Sequence, residues 1–455
     1  MLTPEPSADA SAKKLSVKLA RFKPGAIRES LAQRTVLKSL AANVSWLVAD
    51  RVIRLGVGLV VNIWIARFLG PAKFGLFNYA QAIATMFSFA STLGLPEILM
   101  RDLVGRPDRQ RMILASAFAL RVVGAALVLL LSMVFIISTR PTEPVTWVIM
   151  AFLASAQIAQ SMDVIDSEYQ SRGKVKRIVL LRNINFLCFS ALKVTAIILG
   201  AGVITFAVLY SSELFVVAAL MYAASTRDGH AFLIKDATRE EMGRLLKEVA
   251  PQIARLAIMG VYMRADQLLI GQLLGDAQVG IYTAATRLIE AWYLVITAVM
   301  LAVTPRLAHT FHFDHDRYDH QLTLVIRFIT WTSVFAALVL NVVAPTAVNL
   351  LYGSAFAAAG PVLMVHGWAT VFSSLGQAVS GALVNRRLLH IGVYQALLGA
   401  AVNIGTCLIL IPRMGVVGAA FAAVVTQFAT GLLLNAFFPE TRHLLRIQLR
   451  AIFFR

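Results

Sequence analysis

Charge is scarce in this chain. Asp, Glu, Lys and Arg make up 15% of its 455 residues, against roughly 25% in soluble domains, too little polar surface to clothe a water-soluble fold of this size. Cysteine is nearly absent: Cys188 and Cys407 are the only two. Both lie in apolar stretches, which excludes a disulfide framework or thiolate metal site and leaves them as small hydrophobic filler. There is no phosphate-cradling glycine loop and no polar stretch long enough for an ATPase domain. No cofactor is expected, so energy must come from a proton or sodium gradient, from the substrate's own gradient or from a partner. Acid is scarcer than base, 24 residues against 42, a formal charge of +18. The cations sit in short segments between apolar runs, the pattern of loops that set membrane topology, so no nucleic-acid partner is expected.

What the chain has in quantity is hydrophobic length. Hydrophobic residues make up 58% and mean hydropathy is +0.73; runs of about 20 apolar residues are the unit that crosses a bilayer as helix. Twelve such runs can be placed, at 43–67, 76–100, 112–137, 146–168, 178–200, 203–225, 249–273, 279–304, 323–345, 361–384, 389–411 and 416–438. The expected fold is therefore all-α and integral to a membrane, about twelve transmembrane helices, numbered here as spans 1–12. A basic segment, 1–42, precedes them, a basic tail, 439–455, succeeds them, and 226–248 links spans 6 and 7. With the N-terminus in the cytoplasm, segments on that side carry 29 Lys and Arg against four on the other, Arg67, Lys73, Arg140 and Arg413. That asymmetry places both termini in the cytoplasm. The first 40 residues hold eight cations and no apolar core, so no cleavable signal peptide is expected; they read as a basic surface segment or a solvated tail.

Two stretches are worn copies of each other: IARFLGPAKFGLFNYA at 65–80 and IGQLLGDAQVGIYTAA at 270–285, 205 residues apart. Seven of sixteen positions correspond, among them Gly70/Gly275, Gly75/Gly280 and Phe77/Tyr282. Each copy comes after the first span of a six-span half. Glycine permits a tight reversal and small residues permit close helix approach. Because six is even, the halves 43–225 and 249–438 are parallel repeats, which predicts two six-helix lobes around a central cavity.

Nine cations fall within the spans: Arg51, Arg54, Arg121, Arg182, Lys193, Arg255, Arg264, Arg287 and Arg327. Each costs about 2.5–3.5 kcal/mol at a helix centre, so their retention needs a reason. Spans 10–12 contain no Asp, Glu, Lys or Arg, which concentrates the charge as a cavity would. On span 2, Asn78, Gln81, Thr85, Ser88 and Thr92 step by three and four, one polar stripe on an apolar helix. On span 5, Arg182, Asn185, Phe189 and Lys193 share a face, and on span 7 Arg255, Tyr262 and Asp266 do. Arg264 points away from Arg255, so one of those two is structural. The candidate cationic cavity residues are Arg51, Arg54, Arg121, Arg182, Lys193 and Arg255. Guanidinium forks suit phosphate oxygens, and amides and hydroxyls suit sugar hydroxyls. Asp50, Asp266 and Glu290 are the carboxylates to consider for ion coupling. The competing reading is that Asp50–Arg54 and Arg287–Glu290 are internal pairs that lock helices together.

The segment HTFHFDHDRYDH, 309–320, has metal-ligand composition. The spacing of His309, His312 and His315 does not put three imidazoles on one tight helical face, so it reads as a solvated loop and no metal is expected. The basic patch GRPDRQR at 105–111 reads as a topology determinant near anionic head groups.

Three stretches carry a family likeness: RVIRLGVGLVVNIWIARFLGPAKFGLFNYAQA, MRADQLLIGQLLGDAQVGIYTAATRLIEAWYLV and LLYGSAFAAAGPVL. They resemble bacterial polysaccharide-repeat flippases of the Wzx type, of the multidrug/oligosaccharidyl-lipid/polysaccharide exporter superfamily, over about residues 40–438. The resemblance implies a MATE-like fold in the bacterial inner membrane. It implies a substrate, a polyprenyl-pyrophosphate-linked oligosaccharide, carried from the cytoplasmic to the periplasmic leaflet by alternating access, and no enzymatic step. Membrane lipids and other polysaccharide-assembly membrane proteins are the implied partners. The alternative is an ion-coupled transporter of a soluble anionic or drug-like solute. A major facilitator would resemble G-x-x-x-D-R-x-G-R-R between spans 2 and 3, where MRDLVGRPDRQR is basic but out of register.

Overall fold

The computed structural model describes residues 24–230, 232–386 and 388–453, and among these there is helix and turn but no strand. Residues 1–23, most of the basic N-terminal segment, lie outside the described residues. Among the described residues ten helices are long and apolar enough to cross a membrane. One of them, Asp50–Met86, turns at Gly70 and so holds span 1 and the first half of span 2. Span 7, divided into Arg239–Tyr262 and Ala265–Leu273, is not among the ten. With these two allowances the twelve expected spans are all present.

The repeated corner is the same backbone device twice. Gly70 has φ 72° and ψ 171°; Gly275 has φ 84° and ψ 175°. Positive φ with extended ψ is open to glycine alone at little cost. The two corners also meet. A Cβ on Gly75 would come 1.7 Å from the Asp276 carbonyl oxygen, and one on Gly280 would come 2.2 Å from that of Pro71. Residues 71 and 276 are themselves 205 apart, so the contact is reciprocal, as parallel repeats about a two-fold axis require.

Two interior spans are broken where their polar residues lie. Span 2 loses α-geometry after Met86, resumes for one turn at Phe89–Thr92, and restarts at Leu95–Gly105 after Leu93 and Gly94, both at positive φ. Through the break the side chains turn onto their own backbone: Thr85 Oγ1 donates to the Gln81 carbonyl at 2.7 Å, Ser88 Oγ to Thr85 at 2.7 Å and Thr92 Oγ1 to Ser88 at 3.1 Å. Such back-bonding competes with the helix ladder and bends it. The uninterrupted polar stripe expected on span 2 is thereby corrected. In span 7 the helix is likewise interrupted, at Met263–Arg264.

The segment after span 12 is also more ordered than a tail. Arg442–Phe453 is a helix whose buried Gln448 donates to the Gly431 carbonyl at 2.8 Å, inside the wide π turn Ala429–Leu433. Residues 309–320 are helical except at Asp314, whose side chain caps the helix His315–Tyr352 by accepting from Arg317 N at 2.9 Å. The solvated-loop reading is corrected there; the side chains of His312 and His315 lie outside the described residues. No group of three metal-ligating side chains occurs among the described residues.

Among the described residues the buried apolar side chains fall into three clusters. One lies at the corner end and draws on both lobes, with Phe74, Tyr79, Ile270, Tyr282, Phe356 and Leu363 among its members. At the opposite, basic end the lobes have separate cores. One joins Leu99, Ile113 and Ile165 with Leu245 and Val249 from the start of span 7. The other joins Met300, Leu322 and Leu375 with Leu444 and Ile447 of the helix Arg442–Phe453.

Candidate functional site

Between and within the lobes lie three neighbouring polar cavities. The first, about 320 Å³, is in the first lobe and is lined by Asp50, Arg54, Asp163, Arg182, Asn185 and Glu213. The second, about 320 Å³, lies between the lobes, with Arg54, Gln81, Phe186, Lys193 and Tyr210 facing Arg287 and Glu290. The third, about 260 Å³, is in the second lobe, with Tyr262, Arg264, Asp266, Tyr282, Glu290 and Asn403. Arg54 lines the first two and Glu290 the last two, so the three form one polar path across the pseudo-two-fold axis.

The cations along this path arrive with counter-charges. Arg54 Nε donates to Asp50 at 2.9 Å, and its guanidinium lies 5.4 Å from the Phe186 ring centroid. Arg182 forks between Asp163 and Asp166, 3.0 Å to each. Lys193 Nζ donates to Glu213 at 2.6 Å, and Asn185 binds that residue's carbonyl at 3.0 Å. Across the path, Arg287 reaches Glu290 at 3.0 Å and Gln81 at 3.5 Å. An uncompensated cation away from water is expensive, so an empty site must hold its arginines on carboxylates. The same fork can then exchange a carboxylate for a phosphate.

Of the six cations read as a cavity set, Arg54, Arg182 and Lys193 line the path. Arg121, 3% exposed, is a brace: its Nε donates to the Ser91 carbonyl at 3.2 Å, and its Nη2 lies 3.9 Å from Asp163. It holds the break in span 2 against span 3. Arg51 and Arg255 are exposed and line none of the three cavities. Arg255 shares the unbroken piece Arg239–Tyr262 with Tyr262 but lies two turns nearer the basic end, short of the cavity; the break separates it from Asp266 alone, and Arg264, at the break, lines the cavity. Arg264 and Arg287 also line these cavities, outside the candidate set. Among the span 2 residues, Gln81 faces the cavity between the lobes, whereas Asn78 is buried and donates to the Phe74 carbonyl at 2.8 Å. Thr85, Ser88 and Thr92 serve the break.

The three carboxylates separate by partner. Asp50 and Glu290 are paired with Arg54 and Arg287. Asp266 forms no ion pair among the described residues; it accepts from the Tyr282 hydroxyl and from the Gln267 backbone N–H.

At the corner end the path is shut. Arg140, between spans 3 and 4, forks onto Asp276 of the second corner at 2.6 and 2.8 Å. Its guanidinium carbon lies 4.2 Å from the centroid of the Tyr79 ring. Tyr79 in turn accepts from Gln272 at 2.6 Å. Burial alone would ease deprotonation of Arg140, but the hydrogen bonds and charge of Asp276 more than reverse this and hold it firmly cationic. Arg67 of the first lobe adds a bond to the Leu350 carbonyl at 3.4 Å. Two of the four cations expected on this side therefore clasp one lobe to the other.

At the basic end, Arg101 and Arg244 share Asp102 and Glu248, with Glu241 completing the network. Burial would raise the Asp102 carboxyl, yet hydrogen bonds from Arg101 and Arg244 leave it below its ordinary value.

Solved structures of similar fold cover nearly the whole chain. A lipid II flippase, MurJ, in an inward closed conformation is 13% identical, with a TM-score of 0.70 over 89% of this chain and 90% of that one. A multidrug resistance MATE family transporter of the MOP superfamily, inward-facing, is 15% identical, with a TM-score of 0.68 over 87% and 95%. A MOP superfamily transporter from Pyrococcus furiosus is 14% identical, with a TM-score of 0.59 over 91% and 95%. No curated protein matches the chain. The family described as polysaccharide biosynthesis protein matches residues 40–311, more than half of the sequence. A two-lobed helical fold of the MOP transporter type and this match together place the chain in the polysaccharide biosynthesis protein family.

Proposed function

We propose that this protein is a flippase, not an enzyme, moving a polyprenyl-pyrophosphate-linked oligosaccharide repeat unit from the cytoplasmic to the periplasmic leaflet of a bacterial inner membrane. The observation that carries this reading is the polar path between the lobes, where Arg54, Arg182 and Lys193 are parked on carboxylates. The incoming pyrophosphate displaces those carboxylates from the guanidinium forks, so substrate charge replaces internal charge without exposing a bare cation to the bilayer. Gln81, Asn185 and Tyr210 offer groups for sugar hydroxyls, while the polyprenyl chain stays in lipid. The basic end faces the cytoplasm by its excess of Lys and Arg. With the corner end clasped, substrate enters from the cytoplasmic leaflet, and release needs the Arg140–Asp276 contact to part. Coupling to a proton or sodium gradient is assigned to Asp266, the carboxylate not committed to a cation.

A leaflet assay tests this. Purified protein is reconstituted in liposomes with a short-chain polyprenyl-pyrophosphate oligosaccharide, whose exposure is tracked with an external sugar-modifying enzyme. Protein-dependent exposure is expected, reduced at least about tenfold in Arg54→Ala/Arg182→Ala/Lys193→Ala, since each lost charge-assisted contact is worth about 1.5–3 kcal/mol. Equal exposure in both proteins would remove the site assignment. No exposure from a folded protein would favour a transporter of a soluble anionic or drug-like solute.

A further inference from the structure

A fourth cavity, about 580 Å³, lies away from the polar path on the basic end of the first lobe. It is formed by Lys174, Lys176, Arg177 and Leu180 at the start of span 5, with Tyr169 and, from the end of span 6, Asp228 and His230. Its one carboxylate is already spent: Asp228 takes Arg177 and the Tyr169 hydroxyl, and those hydrogen bonds, the Tyr169 one foremost, hold it below the ordinary range, so it is ionised. Burial and the nearby Arg172 keep His230 below its usual value and therefore neutral at pH 7. Lys174 and Lys176 form no ion pair among the described residues; Lys176 sits 5.3 Å from the Trp46 ring centroid.

The positive charge is reinforced by the helix beneath it. Val175–Ile198 begins here, with Lys174 as an N-cap that makes no side-chain cap and no acidic residue in the first turn. Cations at a helix N-terminus oppose the preferred sign, and the amides of that first turn are left facing outward. An anion relieves both. Apolar surface continues directly from this pocket. Lys176, Leu180, Ile184 and Leu187 keep helical spacing on one face, and the last three are 40%, 58% and 46% exposed. That face is opposite the one carrying Arg182, Asn185 and Lys193, so it looks to lipid and not to the polar path.

We propose that this pocket binds the phosphate of an anionic phospholipid drawn from the leaflet at the basic end, with the acyl chains lying along Leu180, Ile184 and Leu187. The phosphate meets Lys174, Lys176 and the first amides of span 5, and Trp46 flanks the head group. A soluble phosphate would gain nothing from the apolar strip. A lipid-linked sugar has its own charged path on the other side of the helix.

Native mass spectrometry of the full-length protein tests the proposal, by titrating phosphatidylglycerol against phosphatidylcholine. Lys174→Ala/Lys176→Ala is expected to weaken the tightest phosphatidylglycerol site by about thirtyfold and to leave phosphatidylcholine adducts unchanged. Lys235→Ala/Lys247→Ala, two exposed cations elsewhere on the same end, is expected to change it by less than about twofold. Equal losses in the two variants, or none in the first, would overturn the proposal by showing only diffuse attraction. Displacement of the lipid by millimolar inorganic phosphate would overturn it in favour of a soluble-anion site. Displacement by a polyprenyl-pyrophosphate oligosaccharide, with no preference for phosphatidylglycerol over phosphatidylcholine, would overturn it in favour of a substrate site.

Discussion

At the corner end one hydrophobic core runs through both lobes, and backbone touches backbone at Gly75 and Gly280. At the basic end each lobe closes on its own core, and the link between them is the start of span 7. That helix buries Leu245 and Val249 in the first lobe and then, past its break, supplies Arg264 and Asp266 to the second. The corner end is thus a dry, close-packed joint between lobes, and the basic end is two bodies strapped by one helix and an ion network. A dry joint without room for a methyl group has two arrangements, packed or parted, with little between them. The basic end relies instead on an ion network, in which Arg101 and Arg244 reach water while Asp102 and Glu241 are buried.

Substitutions at the two ends should therefore differ in kind. The largest effect is expected from Gly75→Val or Gly280→Val. Either side chain must displace backbone of the opposite corner, at a cost of about 3 kcal/mol or more to the joint. Flipping should fall below detection, and thermal unfolding in detergent should come earlier. Next is Asp276→Asn, which leaves the mostly buried Arg140 cationic and half-paired, a loss of about 2 kcal/mol to the closed joint. The pair swap Arg140→Asp/Asp276→Arg should recover part of the melting temperature. If Asp276→Asn melts like the parent, the pair does not hold the joint.

The smallest effect belongs to the basic end. Asp102→Asn is expected to cost about 2 kcal/mol or less near neutral pH, through lost charge-assisted bonds to Arg101 and Arg244. The pH dependence has a definite sign. The folded carboxyl titrates below its ordinary value of 3.8, so its contribution is full above that pH and is lost as pH falls through the lowered value. Melting curves of parent and variant should still be separated at about pH 4 and converge only as pH falls through the lowered value. A constant separation at all pH values would assign the effect to packing.

The sequence made the joint legible and the path only partly so. Gly70 and Gly275 announce themselves because a positive φ with extended ψ favours glycine, and the copies align at a fixed offset. Span number could be read from hydropathy for the same reason: a bilayer fixes helix length. Side-chain direction could not, because helical periodicity assumes an unbroken helix. Span 2 breaks where Thr85, Ser88 and Thr92 capture carbonyls, and span 7 breaks at Met263–Arg264, where Arg264 lines the path, while Arg255, two turns before Tyr262 on the same helical piece, stays outside it. The hydroxyl run on span 2 was the available sign of that break. The carboxylate partners of Arg182 and Lys193 come from other spans, Asp163 and Asp166 on span 4 and Glu213 on span 6, a pairing that one-dimensional spacing does not encode.

The central claim is that transport requires the corner joint to part. Its most direct test is a bridge across it: Arg140→Cys with Asp276→Cys, in a protein whose Cys188 and Cys407 are replaced, linked by a short cleavable bis-thiol reagent. The same preparation is then assayed for flipping before and after cleavage. Flipping that is absent while the bridge stands and returns on cleavage is the predicted result. Flipping at the same rate in the bridged and cleaved protein would contradict it, since substrate would then cross without the lobes separating at that end.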